Sequence, residues 1–189
     1  MSFTVLALCC FHGSPMATSL PLQARTVRPF PTPPIPLPLP CPAVCSCVRD
    51  TLFGIWTAGL VHIFDRHGSQ VDEIALEQKG ACLALDWDMD GEVLAVLQEG
   101  NSQVPLWYLG SRQVKYMETN LKDPTFLRWS KNGPQLAVGT AKGNLLIYRK
   151  DSRKKMPVLG KHSRKITCGA WSADNRLALG GADNMLTLR

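Results

Sequence analysis

An all-β fold made of repeated antiparallel sheets is what this sequence predicts, and three observations predict it. Trp87, Trp129 and Trp171 stand at intervals of 42 residues. Each opens the same pattern: a polar turn at Asp90-Gly91, Asn132-Gly133 or Asp174-Asn175, then an apolar run at Leu94-Ala95-Val96, Leu136-Ala137-Val138 or Leu177-Ala178-Leu179. The apolar runs last four to seven residues and stop at Gly, Asn or Asp. Paired-helix repeats of similar period need helical spacing sustained over ten or more positions, and that spacing is absent.

Taken in order, the chain begins with a segment unlike the rest. Residues 1–50 hold only four charged side chains, Arg25, Arg28, Arg49 and Asp50, and nine prolines fall between Pro21 and Pro42. The stretch from Pro29 to Pro42 suits an extended polyproline II conformation, and a segment of this composition cannot form a core, so disorder is expected. The short apolar run Phe3 to Phe11 has no basic residue before it and breaks at His12-Gly13-Ser14-Pro15. No secretory signal is expected. The seven cysteines have no regular spacing, and five crowd into the first 47 residues. That is not a disulfide framework and fits a reducing compartment.

The repeat is expected over residues 58–189. Asp-Gly and Asn-Gly tolerate positive φ, which predicts two-residue hairpin turns after each tryptophan, with the tryptophans buried between sheets. A further strand follows in each unit: Val61-His62-Ile63-Phe64, Val104-Pro105-Leu106-Trp107, Leu145-Leu146-Ile147-Tyr148, and Met185-Leu186-Thr187-Leu188. Strands apolar on both sides suit sheets covered on both faces, the condition met in a β-propeller. The expected architecture is an incomplete propeller of about three blades whose ring is not closed, behind a disordered proline-rich segment over residues 1–57. Open blade faces and unpaired strand edges are expected to make such a form self-associate.

The last unit resembles the WD-repeat family. Gly160-Lys161-His162 stands where WD repeats carry a Gly-His pair, and Asp183 lies at the turn before the final strand. The resemblance implies that His162 and Asp183 form the buried hydrogen-bond network that pins a blade. The other copies are degenerate: Lys142 occupies the turn position, and the aromatic-Asp dipeptide survives as Phe64-Asp65. A longer match is carried by Ile63-Phe64-Asp65-Arg66-His67-Gly68, Leu136-Ala137-Val138-Gly139-Thr140, Lys142-Gly143-Asn144-Leu145-Leu146-Ile147-Tyr148, and Pro157-Val158-Leu159-Gly160-Lys161-His162 with the run Arg164 to Gly169. These closely resemble the WD-repeat subunits of intraflagellar transport complex A, over roughly residues 61–189. The resemblance implies a non-enzymatic scaffold with the other complex A subunits as partners. It also implies retrograde ciliary transport, cilium assembly, ciliary entry of membrane proteins, and a location at the cilium, its base and the cytoskeleton. Residues 1–57 do not match the family's first blade, so a truncated or partial form is expected.

The net charge of +6 is too small to indicate nucleic acid. It is concentrated, however. Arg149, Lys150, Arg153, Lys154, Lys155, Lys161, Arg164 and Lys165 crowd around one inter-blade connection, offset only by Asp151. Such a run is either a solvated loop or a contact for an acidic partner or anionic lipid headgroups; without interleaved aromatics it does not suit nucleic acid. Cys41, Cys45, His62 and His67 approach a zinc-finger spacing, but the gap is long and Pro42 lies between the thiols, so no metal is expected. No phosphate loop or nucleophile elbow is present, and neither a catalytic residue, a cofactor nor a small-molecule substrate is expected.

Overall fold

A computed structural model describes residues 46–48, 52–57, 59–77, 80–160 and 162–189, and these contain strands and turns with no helix. The first sheet comprises β1 (Ser46–Val48), β2 (Leu52–Thr57), β3 (Leu60–Asp65) and β4 (Gln70–Ala75). The second comprises β5 (Cys82–Trp87), β6 (Val93–Gln98), β7 (Gln103–Tyr108) and β8 (Gln113–Glu118). The third comprises β9 (Pro124–Trp129), β10 (Gln135–Thr140), β11 (Leu145–Arg149) and β12 (Lys155–Val158). The fourth comprises β13 (Ile166–Trp171), β14 (Leu177–Gly181) and β15 (Leu186–Leu188). Every sheet is antiparallel and pairs its strands in chain order.

Neighbouring sheets meet through their first strands, β1 against β5, β5 against β9 and β9 against β13. That places the first strands around a common axis and the last ones at the rim, as in a propeller. Among the described residues the ring is not closed.

The alternation of side chains explains why these strands are apolar throughout. In β6, Val93, Ala95 and Leu97 pack toward the third sheet, while Leu94 and Val96 pack toward the first. In β10, Leu136 and Val138 face the second sheet and Ala137 the fourth. A strand in an inner blade has no solvent face, so period-2 geometry buries every residue. The rim strand β12 shows the contrast, with Lys155 and Pro157 exposed and Met156 and Val158 half-buried.

Several expectations need correction. There are four sheets rather than about three, because strands precede residue 58. Leu52 to Thr57 pairs with β3 along its whole length, from Leu52↔Asp65 to Thr57↔Leu60, and Ser46 to Val48 pairs with it in turn. The prolines stop at Pro42, and the apolar run from Leu52 to Trp56 belongs to the repeat rather than to the segment before it. Apart from Ser46–Val48, the expected disorder of residues 1–50 falls outside the described residues, as do Cys41 and Cys45.

The hairpins after the tryptophans are also longer than two residues. Asp88 N–H bonds Val93 O (3.0 Å), Ser130 N–H bonds Gln135 O (2.8 Å) and Ser172 N–H bonds Arg176 O (2.8 Å), leaving residues 89–92, 131–134 and 173–175 as loops. The residue after each tryptophan organises its loop. Asp88 Oδ1 accepts from the N–H groups of Glu92 and Val93, Ser130 Oγ from Asn132, and Ser172 Oγ from Arg176. Side-chain acceptors of this kind favour a turn over continued strand. Gly91 has a φ of 75° and Asn175 of 60°, as their types predict. Gly133 serves a different need: a Cβ there would lie 3.0 Å from the Asn175 side chain of the next sheet. Trp87 and Trp129 are fully buried, whereas Trp171 is half-buried.

Candidate functional site

The loop between β12 and β13 carries His162 inward against the turn between β14 and β15. His162 is buried, with Nδ1 3.0 Å from Asp183 Oδ1 and Nε2 3.0 Å from Thr187 Oγ1. Asp183 also accepts from Ser163 N–H (2.8 Å) and Met185 N–H (3.2 Å). The hydrogen bond with His162, helped by those backbone donors and opposed by burial, holds its carboxyl well below the usual carboxylate range. On the other side, His162 N–H bonds Gly143 O at 3.3 Å, which ties the third sheet's β10–β11 turn to the fourth sheet.

Hydroxyl, imidazole and carboxylate thus stand in line, the residue types of a nucleophilic triad. Here the line closes within one blade, fastening the inter-blade loop to a turn and a strand, and its chemistry is that of a satisfied buried polar network. Thr187 was missed in the sequence because it reads as one polar position inside an apolar strand.

The basic residues do not form one patch. Register places Tyr148 opposite Lys155 and Leu145 opposite Val158, so β12 separates them into two groups at opposite ends of the blade. Lys150, Arg153 and Lys154 lie on the turn joining β11 to β12, with Arg149 ending β11 and Lys155 opening β12, and Arg164 and Lys165 lie beyond the other end of β12. Lys161 is outside the described residues.

Two of the cations are engaged internally. Arg149 pairs with Asp151 at 2.8 Å, and this contact, with the Ser152 N–H, holds the Asp151 carboxyl at about 2. Lys150 reaches the second sheet, where it pairs with Asp88, with Asp90 (3.3 Å) and with Glu92 (3.8 Å). Burial opposes the Lys150 charge, but the hydrogen bonds and charges of Asp88 and Asp90 outweigh it and raise its pKa. Arg153, Lys154, Lys155, Arg164 and Lys165 are exposed.

A polar seam runs between blades at this same end. Buried Asp86 accepts from Trp129 N–H (2.7 Å) and from Lys131 Nζ (2.9 Å), and Lys131 also donates to Trp87 O (2.7 Å). Between the third and fourth sheets, Asn132 Nδ2 donates to Ala173 O (3.0 Å), Asn175 Nδ2 to Asn132 O (3.1 Å), and Trp171 Nε1 to Arg128 O (3.1 Å), while Ser130 meets Asn175. Asn132 and Asn175 are legible in the sequence only as turn formers, and Asp86, Ser130 and Lys131 carry no local pattern that marks them as partners across blades.

Comparison with known proteins adds to this geometry. The family model described as the WDR19 first beta-propeller matches residues 52–189. WD repeat-containing protein 19 of Homo sapiens is 52% identical over 130 residues, covering 68% of this chain and 10% of that protein. The Mus musculus protein of the same name is 50% identical over the same shares. WD repeat-containing protein dyf-2 of Caenorhabditis elegans is 33% identical over 55% of this chain and 8% of its own length. The chain therefore spans about a tenth of the length of the curated relatives it matches. Among solved structures, a chain in the crystal structure of the mitotic checkpoint complex superposes with a TM-score of 0.67 at 20% identity, over 77% of this chain and 47% of that one. At that identity the likeness concerns the fold alone.

Proposed function

The chain belongs to the family of WDR19 first β-propellers, and from that premise we propose that it acts as part of a non-enzymatic scaffold subunit of intraflagellar transport complex A. The carrying observation is the family match, which begins at Leu52 and runs through every sheet. The finer reading is a role in retrograde ciliary transport, in cilium assembly and in ciliary entry of membrane proteins, at the cilium and its base, with the other complex A subunits as partners. It is supported by the likeness of the two blades around His162 to that family. Scaffolds work through surface and shape, and fold alone does not choose the partner. Co-purification from ciliated cells tests it: recovery of complex A subunits is expected, and recovery of another vesicle coat without them would transfer the protein to that coat.

The exposed basic residues are proposed as a contact for an acidic partner or anionic membrane, with about 1 kcal/mol available per cation near an anionic surface. Support comes from the exposure of Arg153, Lys154, Lys155, Arg164 and Lys165, of which Lys155 lies within electrostatic reach of the Glu118 carboxylate. Reversal of Lys154 and Lys155, or separately of Arg164 and Lys165, to Glu is expected to weaken binding to anionic liposomes or to a ciliary partner. The two ends need not contribute equally, since β12 keeps them apart. Absence of wild-type binding at low salt would leave both ends merely solvated.

A further inference from the structure

Three hydroxyl residues have an arginine three positions before them, Ser69, Ser152 and Thr167, and the tripeptide Ser-Arg-Lys occurs twice, at Ser152 and at Ser163. Their surroundings separate them. Thr167 lies inside β13, and its hydroxyl donates to Gly180 O at 3.2 Å. Ser163 is fastened to Asp183, which takes its N–H at 2.8 Å and its hydroxyl at 3.3 Å, so a phosphate there would stand against a carboxylate. Ser69 closes the β3–β4 turn with both backbone groups on Asp65, at 2.9 Å each, and Asp72 and Glu73 follow it. Ser152 is exposed on the β11–β12 turn, with Arg149 and Lys150 before it and Arg153, Lys154 and Lys155 after it.

We propose that Ser152 is a phosphorylation site for an ATP-dependent protein kinase that selects basic residues ahead of its acceptor. In the transfer, Ser152 Oγ bonds to the γ-phosphorus of ATP as the bond from that phosphorus to the β,γ-bridging oxygen breaks. ADP leaves, and the hydroxyl proton passes to the kinase's catalytic carboxylate. Such kinases choose their substrates by charge pattern. Arg149 is available to an acidic docking group, because its pair with Asp151 is 41% and 48% exposed on the two sides, and exposed pairs are worth little in water. Lys150 is not, since it is spent on Asp88. Once attached, the phosphate sets a charge of about −2 among Arg149, Arg153, Lys154 and Lys155, whose N–H donors suit its oxygens.

Exposure of this turn is a property of the blade. The second sheet makes the same turn between β7 and β8: Leu109 N–H bonds Glu92 O (2.9 Å) as Lys150 N–H bonds Pro134 O (2.8 Å), and Arg112 and Arg153 have φ values of 51° and 52°. A complete four-stranded sheet follows that turn, yet Gly110, Ser111 and Arg112 are as exposed as Asp151, Ser152 and Arg153. Ser111 is preceded by Tyr108, Leu109 and Gly110, so the two serines share a geometry and differ in the charge before them. A kinase takes its substrate segment extended, so the turn has to open. The Arg149 N–H to Lys154 O bond (2.9 Å) closes it, and β12 beyond is a rim strand of 4 residues with Lys155 and Pro157 exposed. A short edge of this kind opens locally at small cost. This site stands whichever assembly the propeller serves and whatever the basic turn binds.

The full chain is incubated with ATP and the catalytic subunit of the cyclic-AMP-dependent protein kinase, a kinase of this class, and phosphate is located by tandem mass spectrometry. Ser152 is expected to be the main acceptor among the described residues. Ser152→Ala should abolish that incorporation, while Ser69→Ala, Ser111→Ala and Ser163→Ala leave it unchanged. Arg149→Gln keeps the acceptor and removes the charge, and it should slow incorporation at least about tenfold. No phosphate on Ser152, phosphate chiefly on Ser69, Ser111, Ser163 or Thr167, or an Arg149→Gln rate equal to that of wild type would each overturn the proposal.

Discussion

Replacing Lys150 with Met takes one charge out of a contact between two sheets. The Lys150 ammonium meets Asp88, whose side chain is fully buried at the tip of the β5–β6 hairpin. After the change, Asp88 Oδ1 keeps the N–H donors of Glu92 (2.9 Å) and Val93 (3.1 Å), but Oδ2 loses its charged donor. Removing one partner of a buried ion pair costs about 3–5 kcal/mol, because the other charge is left uncompensated. Lys150 is 20% exposed, so water reaches part of the site, and two backbone donors remain. The expected loss is therefore about 2–3 kcal/mol. In a domain of this size each kcal/mol moves the midpoint by about 2–4 °C, giving a fall of about 4–12 °C. Thermal melts by circular dichroism measure it. A cycle with Asp88→Asn should show a coupling of at least about 1 kcal/mol. A Lys150→Met variant within about 0.5 kcal/mol of wild type would refute the reasoning and return Lys150 to the free basic residues.

Other outcomes follow from single observations. Gly143 has a φ of 77°, and a Cβ there would overlap the His162 carbonyl, whereas Gly100, with a φ of 75°, has nothing within 4 Å. Gly143→Ala should thus cost at least about 2 kcal/mol more than Gly100→Ala, where only the roughly 1 kcal/mol backbone cost applies; urea melts of the two variants test the difference. Because the Asp183 carboxyl is held below its ordinary value of 3.8, chiefly by His162, its contribution is complete above that value and is lost as pH falls toward its folded one. Stability measured below pH 4 should accordingly fall less steeply in Asp183→Asn than in wild type, and parallel slopes would contradict the linkage. Thr187→Val removes the hydroxyl 3.0 Å from His162 Nε2 and is expected to cost about 1 kcal/mol with no change of fold. A near-neutral result in calorimetry would mean that the imidazole is anchored by Asp183 alone.

Much of the blade was legible because its determinants are local. Trp87, Trp129 and Trp171, the turn letters after them and the apolar triplets that follow specify strand, loop and strand without reference to distant residues. His162 and Asp183 were legible as a pair through resemblance to WD repeats, and the structure brings them to 3.0 Å. Loop length was not legible. Asp88, Ser130 and Ser172 each divert their hydrogen bonds into the loop, and a Cβ on Gly133 would crowd the Asn175 side chain at 3.0 Å. Of the first sheet only the strand around Val61 to Phe64 was legible; Leu52 to Thr57 follows a segment poor in charge and rich in proline up to Pro42, and carries no tryptophan-turn pattern of its own.

By itself, then, the sequence determined the strands, their period and the inward direction of the apolar residues, because each depends on neighbours a few positions away. Which charges are free was decided only in the tertiary structure. Lys150 lies in the same basic run as Lys154, yet it is spent on Asp88, 62 residues earlier in the chain. Arg164 stands close to Lys155 in sequence, yet β12 puts it at the other end of the blade. The first outcome arises where one sheet stacks on another, which joins residues from neighbouring blades that no local periodicity connects, and the second from the length and pairing of one rim strand.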